Sequence, residues 1–558
     1  MEVGESSAQP ISQKVAPVAN VKSWRGGLLV VALLLAVPVL VIIGSLALPF
    51  SEMWHHLIQT VLSDYIVNSL LLMIGVGLGT FFLGVSAAWL TAMCDFPGRR
   101  FFSWALLLPL AMPAYIIAYT YTGILDFTGP VQTILRETFN WGYGDYWFPE
   151  IRSLGGAACM LSLVLYPYVY LLARVAFTEQ STALLEVSRN LGRGPWTTLF
   201  LVALPMARPA VAAGVSLALM ETLADFGTVD YFGVSVFTTG IFRTWYGLGE
   251  LTTAAQLASF LLLFVFALFA LERISRGRIR FHHSAVRRQV ARVELHGWRG
   301  SACFGASAAI LLAGFILPAG QLLFWAARDW PRQFDTDFLA LAGNSFMLAA
   351  VASTCCLLIA LFLAYGRRLY PGRMEALSVR TAAMGYAVPG TVIAVGVLIP
   401  FAWFDNHLDS FLREHFGISS GLLLSGSLIA LVFAYLVRFL SVSLQSVESG
   451  LARVRPSLDE SARSLGHTPA AVLRRVHLPI LRGSMLTALL LVFVDVLKEL
   501  PATLILRPFN FNTLAVRTYE LASDERLADA ATPALTIVLI GLLPVILLSR
   551  GISSGEEQ

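Results

Sequence analysis

Glu186-Val-Ser-Arg-Asn-Leu-Gly192 and Glu460-Ser-Ala-Arg-Ser-Leu-Gly466 are two copies of one phrase, each followed after a fixed interval by Leu-Pro, at Leu204-Pro205 and Leu478-Pro479. Both run Glu, five residues, Gly, nine residues, Val, one residue, Leu, Pro, and 274 residues separate every matching pair. Working outward, Asn68-Ser69 returns as Asn344-Ser345, Pro97-Gly98-Arg99 as Pro371-Gly372-Arg373, and Met112-Pro113 as Val388-Pro389. Self-similarity at so steady an offset means a tandem duplication of one unit.

The composition states what that unit is made of. Hydrophobic residues form 57% of the 558 and charged residues 13%, a balance that leaves too little polar surface to cover a soluble protein of this size. A bilayer core needs about 20 apolar residues per helix. Twelve such runs begin near residues 26, 65, 101, 153, 207, 251, 301, 338, 376, 419, 484 and 530. The fold class expected is therefore an all-α membrane protein with about twelve transmembrane helices in two tandem six-helix units. Arginine concentrates in alternate connections, such as Arg99-Arg100, Arg189 to Arg208, Arg273 to Arg299, Arg367 to Arg373 and Arg453 to Arg482. The positive-inside rule puts these, and both termini, on the cytoplasmic side of a multi-pass membrane chain.

The expected organisation is a cytoplasmic tail over 1–25, a first unit over 26–272, a linker over 273–300, a second unit over 301–550 and a tail over 551–558. The stretch from Gly26 to Pro49 is too long for a cleaved signal and is expected to stay as a helix. The linker arginines, from Arg273 to Arg292, read as a topology anchor rather than a nucleic-acid patch, so no nucleic-acid partner is expected beside the lipid bilayer. The five cysteines lack CxxC spacing and a histidine cluster, and read as small apolar residues rather than metal ligands or disulfides.

The repeated phrase has the physics of a docking element. A short amphipathic helix forms around each glutamate, with the acid expected in the first turn where the helix dipole favours it. Gly192 and Gly466 then allow a sharp bend, and Leu-Pro marks the start of the next membrane helix. The pattern resembles the conserved loop of binding-protein-dependent ABC importer permeases. Val187-Ser188 and Ser461-Ala462 stand where that family usually has Ala-Ala. The resemblance implies the type I importer fold, with coupling loops over 179–205 and 448–479 that dock on a separate ATP-binding subunit, present in two copies. Glu186, Arg189, Gly192, Leu204, Pro205, Glu460, Arg463, Gly466, Leu478 and Pro479 would form that coupling site. No GxxxxGK[ST] pattern occurs, so ATP and Mg are expected to serve the partner; this chain is expected to bind no cofactor and to catalyse nothing.

Glu221, Asp225, Asp495, Lys498 and Glu499 lie in or at the ends of apolar runs, where ionisable groups mark a polar path or neutralise one another. They are the expected translocation residues. Tyr115, Tyr119 and Tyr121 read as an interfacial aromatic belt rather than metal ligands. The stretch from Lys498 to Ala515 resembles the ferric-iron branch of the family, which implies ferric iron delivered by a periplasmic binding protein. Permeases for thiamine, phosphonate, polyamine or oxyanions share the loop. An ion-coupled secondary transporter would show buried charges but has no use for two docking loops.

Overall fold

The computed structural model describes residues 21–142, 144–179, 192, 194–276, 292–333 and 336–556. Twelve apolar segments order it: α1 (Val21–Gly44), α2 (Leu62–Met93), α3 (Ala114–Leu125), α4 (Leu154–Thr178), α5 (Leu204–Ala224), α6 (Leu251–Arg276), α7 (Trp298–Arg328), α8 (Thr336–Leu369), α9 (Gly390–Phe416), α10 (Leu428–Ala452), α11 (Arg482–Lys498) and α12 (Ala531–Glu556). Among the described residues nine helices are long and apolar enough to cross a bilayer, and two bent pairs raise the number to eleven; Ala531–Leu547 adds a shorter apolar stretch. This all-α membrane architecture of roughly twelve helices matches the expectation. The single addition is a pair of two-residue strands, β1 (Cys94–Asp95) and β2 (Val293–Glu294), which run parallel and fasten the end of the linker to the turn after α2.

The third and ninth apolar runs are not continuous helices, and their repeated prolines say why. Arg99–Ala111 and Ala114–Phe139 meet at 94°, and a 3₁₀ turn precedes the break in each unit, Leu108–Ala111 and Met384–Ala387. Pro113 and Pro389 sit at the restart with φ −59° and −55° and ψ near 144°: the ring holds φ, and the extended ψ turns the chain. Asn68-Ser69 and Asn344-Ser345 also repeat for a structural reason. Asn68 donates to the Ser235 carbonyl at 2.9 Å and Asn344 to the Asn512 carbonyl at 3.3 Å. The hydroxyl of Ser69 accepts from Phe237 N–H, and that of Ser345 from Leu514 N–H. Each pair thus satisfies backbone groups of the loop that enters the next short helix of its own unit, groups that lipid could not satisfy.

The two units exchange their first helices. α1 lies on the second unit, with Trp24 stacked on Phe362 at 5.0 Å, Arg25 paired with Glu375 at 2.6 Å, and the backbone of Pro38 against Gly396. α7 lies on the first unit: Tyr121 donates to the Ala313 carbonyl at 2.6 Å, Phe304 meets Phe102 edge-on, and Gly314 abuts Pro109 and the Leu163 carbonyl. Close backbone approach at glycine is the usual way helices pack where lipid removes the hydrophobic driving force. Cys94 and Cys356 are buried, no disulfide forms among the described residues, and Cys159 lies exposed on the helix surface.

The exchange predicts that the linker is dispensable for assembly. Residues 1–284 and 285–558 expressed as two chains should co-elute in size-exclusion chromatography, and removing residues 1–50 should cut the recovered complex about ten-fold, the effect of losing roughly 1.4 kcal/mol or more of association energy. Separate elution of the two intact pieces would refute the exchange as the element that joins them.

Candidate functional site

The second copy of the repeated loop lies wholly within the described residues. After α10, Pro456–Ser464 forms a helix with proline at its first position. It ends in two nested bonds, His467 N–H to the Ala462 carbonyl at 3.2 Å and Gly466 N–H to the Arg463 carbonyl at 2.9 Å, with Gly466 at φ +79°. That closure requires a left-handed residue, which glycine supplies without a Cβ penalty. Thr468 then caps Pro469–Val472 by accepting from Ala471 N–H. Gly192 in the first copy also sits left-handed, at φ +74°. Glu186 and Arg189 lie outside the described residues. Glu460 and Leu465 project outward, and Arg463 occupies the last turn, where its charge is favoured by the negative end of the helix dipole.

Two expectations for this loop need correcting. Glu460 is not in the first turn; Asp459 is, and it faces inward. Leu204-Pro205 opens α5 without a break from the segment before it, because the π-turn Leu199–Ala203 leads straight into it and Leu199–Ala224 runs as one span. Only the second copy breaks, by 77° between Pro469–Ile480, which holds Leu478-Pro479, and α11. Both copies contain a π-helical turn at matching places, Leu199–Ala203 and Leu473–His477.

Asp459 anchors a cluster with no counterpart in the first unit. Arg368 at the end of α8 binds the Asp459 carboxylate at 2.8 Å and the carbonyls of Leu451 and Val454 at 2.6 and 2.8 Å. The fully buried His477 places Nε2 2.7 Å from Asp459, off the line of a hydrogen bond, and packs its ring against Tyr365. Tyr365 in turn donates to the Pro469 carbonyl at 2.7 Å. The first unit has Trp89, Ala92, Leu185 and Ala203 at the matching positions.

All five expected translocation residues meet in one cavity of about 970 Å³, its open mouth included. Glu221 and Asp225 come from the end of α5, and Asp495, Lys498 and Glu499 from the end of α11. Matching acids do matching work. Asp225 accepts from the Thr228 and Val229 N–H groups at 3.1 and 3.2 Å and from the Thr228 hydroxyl at 3.0 Å, capping Gly227–Tyr231. Glu499 accepts from the Ala502 and Thr503 N–H groups at 3.0 and 3.1 Å and from the Thr503 hydroxyl at 2.9 Å, capping Pro501–Leu506. Asp495 pairs with Lys498 at 3.1 Å, whereas Glu221 makes no hydrogen bond or ion pair among the described residues.

The cavity also holds residues that the sequence reasoning passed over. Arg438, ten residues into α10, brings Nη1 to 3.8 Å from Glu499, and Gly390 leaves room for the two. A lone arginine inside an apolar run was signal enough to find it. Tyr115, Tyr168 and Tyr386 line the wall. The aromatic-belt reading is overturned: Tyr115, Tyr119 and Tyr121 are all buried, Tyr119 stacks on Trp325 of the other unit, and Tyr115 Oη has no partner. Among the described residues no three His, Cys, Asp or Glu converge as a metal cage.

On the face opposite the coupling loop, polar contacts bridge the units around a second hollow. Arg152 grips Glu525 at 2.6 and 2.9 Å and reaches Asp126 at 3.7 Å, and Tyr519 donates to Asp230. The bond to Glu525 is the main force holding the Arg152 guanidinium charged, its pKa raised above the usual arginine value.

The profile of the family described as "Binding-protein-dependent transport system inner membrane component" matches residues 80–281 and 356–552. The chain is 26% identical over 494 residues to the Fe(3+)-transport system permease protein FbpB 2 of Haemophilus influenzae, covering 88% of this chain and 90% of that protein. It is 28% identical over 174 residues to the molybdenum transport system permease protein ModB of Escherichia coli K12, covering 31% of this chain and 71% of ModB. It is 27% identical over 267 residues to the putative 2-aminoethylphosphonate transport system permease protein PhnV of Salmonella typhimurium, covering 45% and 95%.

Two predictions come from the site. Asp225→Ala and Glu499→Ala should each lower stability by about 1 kcal/mol or more, while Asp225→Asn, still a good cap, should stay near wild type in a thermal melt. Arg368→Ala, which strands the mostly buried Asp459, should cost about 3 kcal/mol. Equal melting temperatures for Arg368→Ala and wild type would show that the cluster bears no load.

Proposed function

Because the chain belongs to the family of binding-protein-dependent transport system inner membrane components, we propose that it forms the whole membrane pathway of an ATP-driven importer whose cargo is ferric iron. The observation that carries the cargo is likeness over nearly the full double-length chain to an Fe(3+)-transport permease, against likeness over 31% and 45% of the chain to molybdenum and phosphonate permeases. The acid-rich cavity supports it, since carboxylates are hard ligands that suit a hard cation. A periplasmic binding protein brings the iron to the face that carries Arg152 and Tyr519. Two copies of an ATP-binding subunit sit on the opposite face, against Glu186 to Pro205 and Glu460 to Pro479, with both termini beside them in the cytoplasm. Closure of the ATPase pair draws the two loops together and rocks the units about the cavity.

Uptake of radiolabelled iron, molybdate and 2-aminoethylphosphonate by a deletion strain, with and without the gene restored, tests the cargo; iron uptake alone should return. Gly466→Val should reduce co-purification of the ATP-binding subunit at least about ten-fold, because a β-branched residue strains at φ +79° by well over 1 kcal/mol. Undiminished co-purification would count against the docking role.

A further inference from the structure

We propose that the central cavity is a transit site for a hard multivalent cation, held between Glu221 of the first unit and Asp495 of the second, and that Lys498 is a tethered cation which the cargo displaces. The proposal rests on the importer reading above and assigns the site its chemistry.

Four carboxylates and two fixed cations line the cavity, but they are not equivalent. Asp225 and Glu499 are committed to backbone N–H groups and hydroxyls, and Arg438 leans on Glu499. That leaves Glu221 and Asp495, which occupy matching places 274 residues apart and face one space from its two sides. Asp495 has Lys498 at 3.1 Å; Glu221 has nothing within pairing distance. The positions that match Lys498 and Arg438 are Ala224 and Val164, so both cations come from the second unit and the first unit's wall carries acid alone. A pair of half-buried carboxylates sharing one ammonium is one positive charge short, a state that a further cation relieves.

Tyr115 adds an independent sign of a missing ligand. It lines this cavity, is 5% exposed, and its buried hydroxyl has no hydrogen-bond partner, a state that costs about 1–3 kcal/mol unless something fills it. Carboxylate and phenol oxygens with no histidine or cysteine in the lining select a hard ion. The same walls repel an oxyanion. Because no three-acid cage exists among the described residues, the ion is passed along with part of its own hydration rather than stored.

The test uses the permease assembled with its ATP-binding subunit in lipid nanodiscs, with Tb³⁺ as a hard trivalent probe excited through Tyr115, Tyr168 and Tyr386. Glu221→Gln and Asp495→Asn should each weaken the titrated luminescence about ten-fold, Glu221→Asp should recover most of it, and Lys498→Ala should tighten it several-fold. Glu525→Gln, at the outer hollow, should shift it less than about two-fold. A merely structural lysine would not produce tighter binding when removed. Identical titrations for wild type, Glu221→Gln and Asp495→Asn, or weaker binding in Lys498→Ala, would overturn the site. The importer reading is judged separately by uptake: iron import that persists in Glu221→Gln removes the transit site and leaves the function standing, whereas wild type that carries molybdate and no iron removes the ferric assignment.

Discussion

An ionised carboxylate inside a bilayer must be surrounded by donors, and here two of them are answered by the open ends of short helices. Asp225 and Glu499 each collect two backbone N–H groups and a threonine hydroxyl just past a membrane helix. The N-terminal end of a helix offers unsatisfied donors and a favourable dipole, so each acid and each short helix solves the other's problem. The arrangement turns the chain sharply after α5 and α11. It also seats Gly227 against Tyr115 and Leu500, where any Cβ would collide. Both walls of the cavity are built on this one device, used twice.

Against that shared frame, the differences between the units stand out as chemistry. Arg438 and Lys498 belong to the second unit, as do Arg368, Asp459 and His477, and the first unit answers each with an apolar or uncharged residue. The second copy of the repeated loop is therefore tied through Asp459 to Arg368 at the end of α8. The chain thus has one acidic wall and one wall of mixed charge, a polarity that two identical units could not offer.

Much of this was legible beforehand. Hydropathy and an offset of 274 to 276 residues mark the helices, the duplication and the loop, and the intramembrane charges point to the cavity. What escaped was whatever depends on a partner distant in sequence. Asp225-x-x-Thr and Glu499-x-x-Ala-Thr look unlike as text, because the longer glutamate reaches the same donors from one methylene further away. The prolines at 113 and 389 were seen to repeat, yet repetition alone does not say that a 3₁₀ turn and a bend sit there. Asp459 was overshadowed by its neighbour Glu460, since only the packing of α8 reveals which of two adjacent acids turns inward. The tyrosines misled because a phenol at an interface and a phenol in a core have the same sequence signature. Arg438 is different: its signal was present and needed only to be read.

The exchanged first helices carry a consequence for how the protein is made. α1 is synthesised ahead of the other eleven helices, yet the surfaces that receive it, on α8 and α9, are synthesised more than three hundred residues later. For most of translation it must wait among lipids, unaccompanied by its eventual neighbours. It is the most apolar of the nine long helices and contains no acidic residue, which makes such a wait harmless. Arg25, left at its edge, meets Glu375 only after 350 further residues have been made, so that pairing forms late in synthesis.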